Sequence, residues 1–321
     1  MEPPPIIQFH DVSLTYDGRR RAVDRVTFEV AQGSIFALVG PNGAGKTSTL
    51  RLLATLADPT SGRLLVDGLD PTRDRDEVKR RLGYLPDHFS LYEQMSPREL
   101  LDFFARCHGI GAAERRRRSD ELLEELELAS KADAPIRSLS RGMRQRLGLA
   151  KTLVHQPRLL LLDEPASALD PAARLKLREV LLGLRRRGLA IVISSHILPD
   201  LAAIADTVGI MESGRMVRCG SIEAIARQAA GERTVYWLDV RSHGDRARRV
   251  LDERSGKVVA WEEVAWEQGA TRLAVEIEGG PDAVAELVEA LVLRGVRVSH
   301  VAPRESALEA IYRASAVQAL A

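Results

Sequence analysis

The chain has 321 residues, enough for at least one large core and, on length, a second domain. Its 46 Lys and Arg nearly cancel 45 Asp and Glu, so no global field selects nucleic acid or an acidic membrane as the main partner. Cys107 and Cys219 lie far apart without metal-ligand spacing, which argues against a disulfide scaffold or a zinc site and for a reducing compartment. No apolar run approaches the roughly 18 residues of a membrane span. The N-terminal MEPPPIIQFH has prolines where a signal peptide needs a basic and then an apolar region. The expectation is a soluble intracellular protein.

Residues 6–39 read as short strands joined by turns. Alternation in Val12, Leu14 and Tyr16, and again in Val26, Phe28 and Val30, predicts antiparallel strands with one buried face. On this periodicity alone Tyr16 is a half-buried strand aromatic. The apolar run Ile35–Val39 then leads into Gly40, Pro41, Asn42, Gly43, Ala44, Gly45, Lys46 and Thr47, followed by a helical stretch from Ser48 to Ala57. Strand, glycine loop and helix in that order are the context of a phosphate-binding loop. The glycines let successive N–H groups turn inward around an anion, and the helix adds its positive end. In such a loop Lys46 reaches the outer phosphates and the Thr47 hydroxyl is placed to ligate Mg²⁺.

Residues 63–68 suggest another strand and the charged residues 72–82 a helix. The proline-interrupted GYLPDHFSLYEQMS opens into a helix at Ser96, where Glu99 completes a capping box and Pro97 takes the first position. A helix from about Glu114 to Leu128 begins with Arg115–Arg118, read as a solvated face. Ser140 caps a further helix whose Met143, Leu147, Ala150 and Val154 recur at helical spacing, closed by Pro157. With Gly142 in its first turn, that helix start is a second potential anion site; the plain alternative is an ordinary capped helix.

The run RLLLLDEP suits a central parallel strand buried on both faces, with Asp163 and Glu164 at its carboxyl end, where open α/β sheets bind ligands. Adjacent carboxylates there can divide labour, one on Mg²⁺ and one on a water; a strand merely ending in polar residues is the alternative. A helix from about Ala172 to Arg187 and the strand AIVISSH follow, the latter ending in His196. Beyond residue 230 the pattern becomes β-α-β-β-α-β, which suggests a ferredoxin-like α+β domain closed by a helix at SALEAIYRA. Trp237, Trp261 and Trp266 there read as core or interface residues.

Taken together, these segments resemble the ATP-binding subunit of an ABC transporter. GPNGAGKT is similar to the Walker A motif, LLLLDEP to Walker B, LSRGM to the LSGGQ signature, SALD to the D-loop and SSH to the switch-histidine segment. The resemblance covers about residues 6–220. It implies an α/β P-loop NTPase domain over 1–230, with antiparallel β and helical subdomains (the latter about 88–157), before an accessory α+β domain over 231–321.

The resemblance also implies ATP and Mg²⁺ as ligands. Tyr16 would stack on adenine, residues 40–47 with Ser48 would hold phosphates, and Thr47 with Asp163 would organise Mg²⁺. Glu164 would activate water and His196 would sense the γ-phosphate, while Ser140 and Gly142 would close over ATP held by a second copy of the chain. The segment Phe89–Met95 would face an integral-membrane permease, making the chain peripheral on the inner face of the cell membrane. The C-terminal third resembles extensions of exporter ATPases with a separate permease. Two departures stand out: Arg141 and Met143 alter the signature, and Asp87 occupies the place of the usual glutamine, with a charge that can meet Mg²⁺ or water.

A soluble ABC ATPase acting on ribosomes or nucleic acid is the competing reading. It is disfavoured by the single cassette and by the modest insert over 48–138, so no nucleic acid is expected as a partner. A small-molecule kinase explains neither LSRGM nor His196.

Overall fold

The computed structural model describes residues 3–167, 169–195, 198–222, 224–225, 234–241, 244–253, 257–265 and 271–304. Two compact units divide between Gly220 and Ser221. The first runs β1 (Ile7–Thr15), β2 (Arg21–Val30), β3 (Ile35–Val39), α1 (Lys46–Leu53), β4 (Ser61–Val66), α2 (Arg75–Arg81), β5 (Leu82–Leu85) and α3 (Pro97–Cys107). It continues through α4 (Ala112–Glu125), α5 (Arg141–Leu153), β6 (Leu159–Asp163), α6 (Pro171–Arg186), β7 (Ala190–Ser195), α7 (Leu198–Ala202), β8 (Thr207–Glu212) and β9 (Arg215–Gly220).

Two sheets form this unit. A three-stranded antiparallel sheet has the order β2-β1-β4, and a six-stranded sheet has the order β5-β6-β7-β3-β8-β9. All neighbours in the larger sheet are parallel except β8 and β9. Strands β3, β6 and β7 are buried along their whole length, which is why their sequences are apolar runs instead of alternations. Phe9, Phe28 and Phe36 stack in series, with centroids 4.5 and 4.8 Å apart, and so join β1 and β2 to β3. The parallel register puts Val39 beside Ser195, Asp163 beside Ser194, and Leu85 beside Leu162. The loops after β3, β5, β6 and β7 therefore leave the sheet along one edge, where the site lies.

The helical segment follows its caps. Ser96 Oγ accepts the Glu99 N–H at 3.3 Å, and the Glu99 carboxylate accepts the Ser96 N–H at 2.7 Å, so the capping box is complete. Helix α4 begins two residues before the expected Glu114 and ends at Glu125. Its arginine run is not a uniform solvated face: Arg115 binds Asp102 at 2.7 Å, and Arg118 is buried, donating to the Leu153 carbonyl at 3.4 Å. The long aliphatic stem of an arginine covers apolar surface, which a count of charges does not register. Helix α1 starts at Lys46 and stops at Leu53, earlier at both ends than its apolar pattern suggests; Thr55, at φ 60°, has left the helix.

In the second unit β10 (Thr234–Val240), α8 (Gly244–Glu253), β11 (Val258–Ala265), β12 (Thr271–Ile277), α9 (Gly280–Leu293) and β13 (Val298–Pro303) follow in order. Their antiparallel sheet has the order β11-β12-β10-β13. Leu238, Val240, Val250, Leu273, Val275 and Leu291 fill its core. Trp237 lies beneath the guanidinium groups of Arg272 and Arg304, 5.4 and 5.0 Å from its ring, and Trp261 packs against the core. Trp266 and the expected closing helix lie outside the described residues.

Candidate active site

The glycine loop is moulded by its neighbours. A Cβ on Gly40 would stand 2.3 Å from the Met211 carbonyl oxygen, and one on Gly45, at φ 107°, would stand 2.5 Å from that of Ala22. No side chain fits either position. Gly214 N donates to Ala44 O at 2.9 Å, fixing the loop from another side. Within it, Lys46 Nζ donates to the carbonyls of Gly40 at 2.6 Å and Pro41 at 3.4 Å.

A cleft of about 470 Å³ opens above the loop, within the range of small-molecule sites. Pro41, Asn42, Gly43, Ala44, Gly45, Lys46, Thr47 and Ser48 line it together with Tyr16, Asp87, Asp163 and Glu164. Asp17, Arg20, Arg21 and Ala22 complete the lining; sequence reasoning missed these, although Arg19–Arg21 formed a visible basic run beside Tyr16.

Tyr16 lies just beyond β1 and is 58 % exposed, not half-buried as strand alternation suggests, and its hydroxyl donates to Ser48 Oγ at 3.4 Å. Burial pushes the neighbouring Tyr84 hydroxyl up to about 12, with the Asp163 charge adding to the shift and Arg51 opposing it. Tyr84 therefore remains a neutral phenol beneath the site.

The carboxylate pair is fastened from β7. Asp163 is 2 % exposed, and its Oδ1 accepts from Ser194 Oγ at 2.5 Å. Glu164 turns away at φ 48°, donating its N–H to both the carbonyl and the hydroxyl of Ser194 at 3.1 Å. That bend sets Glu164 Oε1 3.6 Å from Lys46 Nζ. Asp87 accepts from Ser167 Oγ at 3.5 Å and meets His88 Nδ1 at 2.9 Å.

Thr47, Asp163, Glu164 and Asp87 offer hard oxygen donors, which suit a divalent ion of the magnesium type. Among the described residues no three His, Cys, Asp or Glu side chains converge as a self-sufficient metal site. An ion here would take part of its shell from a ligand's phosphates, as magnesium does.

A second cleft of about 720 Å³ adjoins the first, and Asp87 and Glu164 line both. Phe89, Leu91, Glu93, Arg144 and Ser167 are among its other walls. Phe89 is half-buried on α5: a Cβ on Gly148 would stand 2.6 Å from its ring. Lys151 reaches over the rings of Phe104 and Phe89 at 5.0 and 5.8 Å, and burial lowers its pKa.

Ser140 caps α5, its Oγ accepting from Met143 N at 3.3 Å, and is exposed. Gly142 lies near Ala173. Neither lines the first cleft. His196 lies outside the described residues.

A family model described as ABC transporter matches residues 23–167. Daunorubicin resistance ATP-binding protein DrrA3 of Streptomyces coeruleorubidus is 35% identical over 229 residues, 70% of this chain and 72% of that protein. Nod factor export ATP-binding protein I of Paraburkholderia xenovorans (strain LB400) is 39% identical over 230 residues, 71% and 75% of the two chains. Methionine import ATP-binding protein MetN 2 of Burkholderia mallei is 37% identical over 228 residues, 68% of this chain and 58% of that protein.

Among solved structures, an ATP-binding subunit of an ABC transporter aligns with a TM-score of 0.64 and 30% identity, covering 70% of this chain and 92% of its own. A dimeric ATP-binding cassette in a post-hydrolysis state with ADP and Pi aligns with a TM-score of 0.61 and 26% identity, covering 67% and 98%.

Proposed function

This chain belongs to the ATP-binding subunits of the ABC transporter family, and from that membership we propose how its residues work and with what it assembles. It is an ATPase of this class. The observation that carries the fuller reading is the convergence of the glycine loop, Asp163, Glu164 and Asp87 on one cleft from which Ser140 and Gly142 are absent.

In our reading Tyr16 stacks on the adenine, and the N–H groups of residues 40–47 with Ser48 hold the phosphates. Lys46 exchanges the Gly40 carbonyl and Glu164 for the outer phosphates. Thr47 and Asp163 would hold Mg²⁺, which when bound neutralises charge developing on the transferred phosphoryl group. Glu164 would accept a proton from the attacking water, and Asp87 would add a further carboxylate beside the ion. His196 senses the γ-phosphate, a role resting on the family resemblance.

Ser140 and Gly142 sit at an exposed helix start, which suits an anion presented by a second copy. ATP would then close a homodimer with two shared sites, because a ligand bound only by the closed state favours that state. No helix of the described residues is long and apolar enough to cross a membrane. We assign the transport path to a separate permease that touches the segment Phe89–Met95. Export is our reading of the direction, supported by the C-terminal unit and by the name of the Nod factor export relative; the methionine import relative points the other way. We read the second unit as ferredoxin-like, supported by its strand order, with a role in dimerisation or regulation.

The test is mass in solution. Glu164→Gln with ATP should slow phosphate release by at least about a hundredfold, as expected for loss of a general base, and should double the mass seen by light scattering. Adding Gly142→Asp should return the monomer. A Glu164→Gln chain that stays monomeric at saturating ATP would defeat the shared-site reading.

A further inference from the structure

We infer that Ser194 is a positioning residue for the reaction, setting Asp163 for the divalent ion and Glu164 for the attacking water at once. The inference rests on the nucleotide-site reading above. Ser194 is fully buried near the carboxyl end of β7, directly opposite Asp163 in the parallel register. Its hydroxyl proton goes to Asp163 Oδ1 at 2.5 Å, and the same oxygen accepts the Glu164 N–H at 3.1 Å. One side chain thus grips two consecutive residues.

Each contact has a separate consequence. An ionised carboxylate only accepts, so the single hydroxyl proton of Ser194 has a fixed direction and pins the Asp163 rotamer. With Oδ1 taken by this bond, Oδ2 is the oxygen left for an ion in the cleft that Asp163 lines. Glu164 occupies the left-handed region at φ 48°, which is unfavourable for a residue with a Cβ. Two acceptors from Ser194 on its one N–H hold that bend, and the bend brings its carboxylate to Lys46. A serine that merely satisfied buried groups would contribute stability; a positioning serine also sets what the ion gains on binding.

The comparison of Ser194→Val with Ser194→Thr separates these roles, because the two side chains have one shape and differ by the hydroxyl. ADP affinity of the full chain is titrated with excess EDTA and again with saturating Mg²⁺, so that turnover does not intervene. Wild type should gain affinity from Mg²⁺. Ser194→Val should bind ADP in EDTA like wild type, because the backbone carbonyl of residue 194 still holds the Glu164 N–H and with it the contact to Lys46. Its Mg²⁺ gain should be about tenfold smaller, the scale of one charge-assisted hydrogen bond. Its kcat for ATP should fall by about tenfold or more with KM little changed, and Ser194→Thr should recover both properties.

A Ser194→Val chain with the wild-type Mg²⁺ gain and kcat overturns the inference, as does an affinity loss of equal size with and without Mg²⁺. A wild-type chain that binds ADP without any Mg²⁺ gain overturns the site reading itself. Should Ser194→Val not fold, Ser194→Ala, which only removes an atom, is read in the same titration with the same outcomes.

Discussion

Lys46 Nζ stands 3.6 Å from Glu164 Oε1, with both side chains largely enclosed, so the phosphate-loop cation is already partly neutralised by the carboxylate assigned to the water. Two unit charges about 4 Å apart attract by about 4 kcal/mol at the effective dielectric of a protein surface, enough to matter to an incoming anion. On the proposed function, ATP takes the lysine from Glu164. The neutral amide of Glu164→Gln gives it up more readily, so ATP should bind that variant about five- to tenfold more tightly even as hydrolysis falls. Isothermal titration of ATP in EDTA reads the affinity alone. Weaker binding by the variant would show that the ion pair organises the loop and does not compete with the phosphates.

Asp87 places a charge where the family resemblance implies an amide, and its Oδ1 accepts from Ser167 while Oδ2 meets His88. An amide oxygen can still accept from Ser167. Asp87→Gln should therefore keep the KM for ATP within about threefold, whereas Asp87→Ala, lacking any acceptor, should lower kcat by about tenfold. Steady-state kinetics of both variants decide it. A wild-type kcat in Asp87→Ala would leave the residue a structural role only.

The rings of His108 and His155 stack 4.0 Å apart and 3° from parallel, and His155 Nε2 meets the Leu82 carbonyl at 2.9 Å. Burial pushes the His155 pKa down to about 4; His108 and Arg118 add to the shift and the Leu82 carbonyl opposes it. The native state thus refuses a proton that an unfolded histidine accepts near its ordinary value of 6.5. Its contribution to stability is complete above about 6.5 and is lost as pH falls towards about 4. Urea unfolding at pH 7 and pH 5 should show wild type losing more stability than His155→Phe, which keeps a ring and cannot titrate. Equal losses would mean that His155 is not protonated on unfolding in this window.

The parts of the site that were legible in sequence are those that are local in chain. The strand, loop and helix around Lys46, the four leucines before Asp163 and the caps at Ser96 and Ser140 each arise from neighbouring residues, and all stand in the structure. The helix boundaries shifted by a few residues, because apolar spacing marks the face of a helix more firmly than its ends. What sequence could not show is pairing across the chain. Ser194 meets a carboxylate 31 positions earlier, Phe89 finds its seat at Gly148, and Arg118 is buried against α5. None of these carries a periodic signal, since each depends on which strands and helices become neighbours. The βαββαβ order beyond residue 230 was legible as an element order, and the sheet order followed only from the pairing.

The backbone contacts around Gly40 and Gly45 bear on what nucleotide binding has left to do. Carbonyl oxygens of Met211 and Ala22 press against the loop from two segments, and Gly214 holds it from a turn between β8 and β9. The cradle is cast while the unit folds, so its ordering entropy is not charged to the ligand. Preorganisation of this kind frees binding energy for rearrangement elsewhere. On the proposed function, a nucleotide entering a finished mould would spend its binding energy on what surrounds the mould, which is where a motor would need the change to occur.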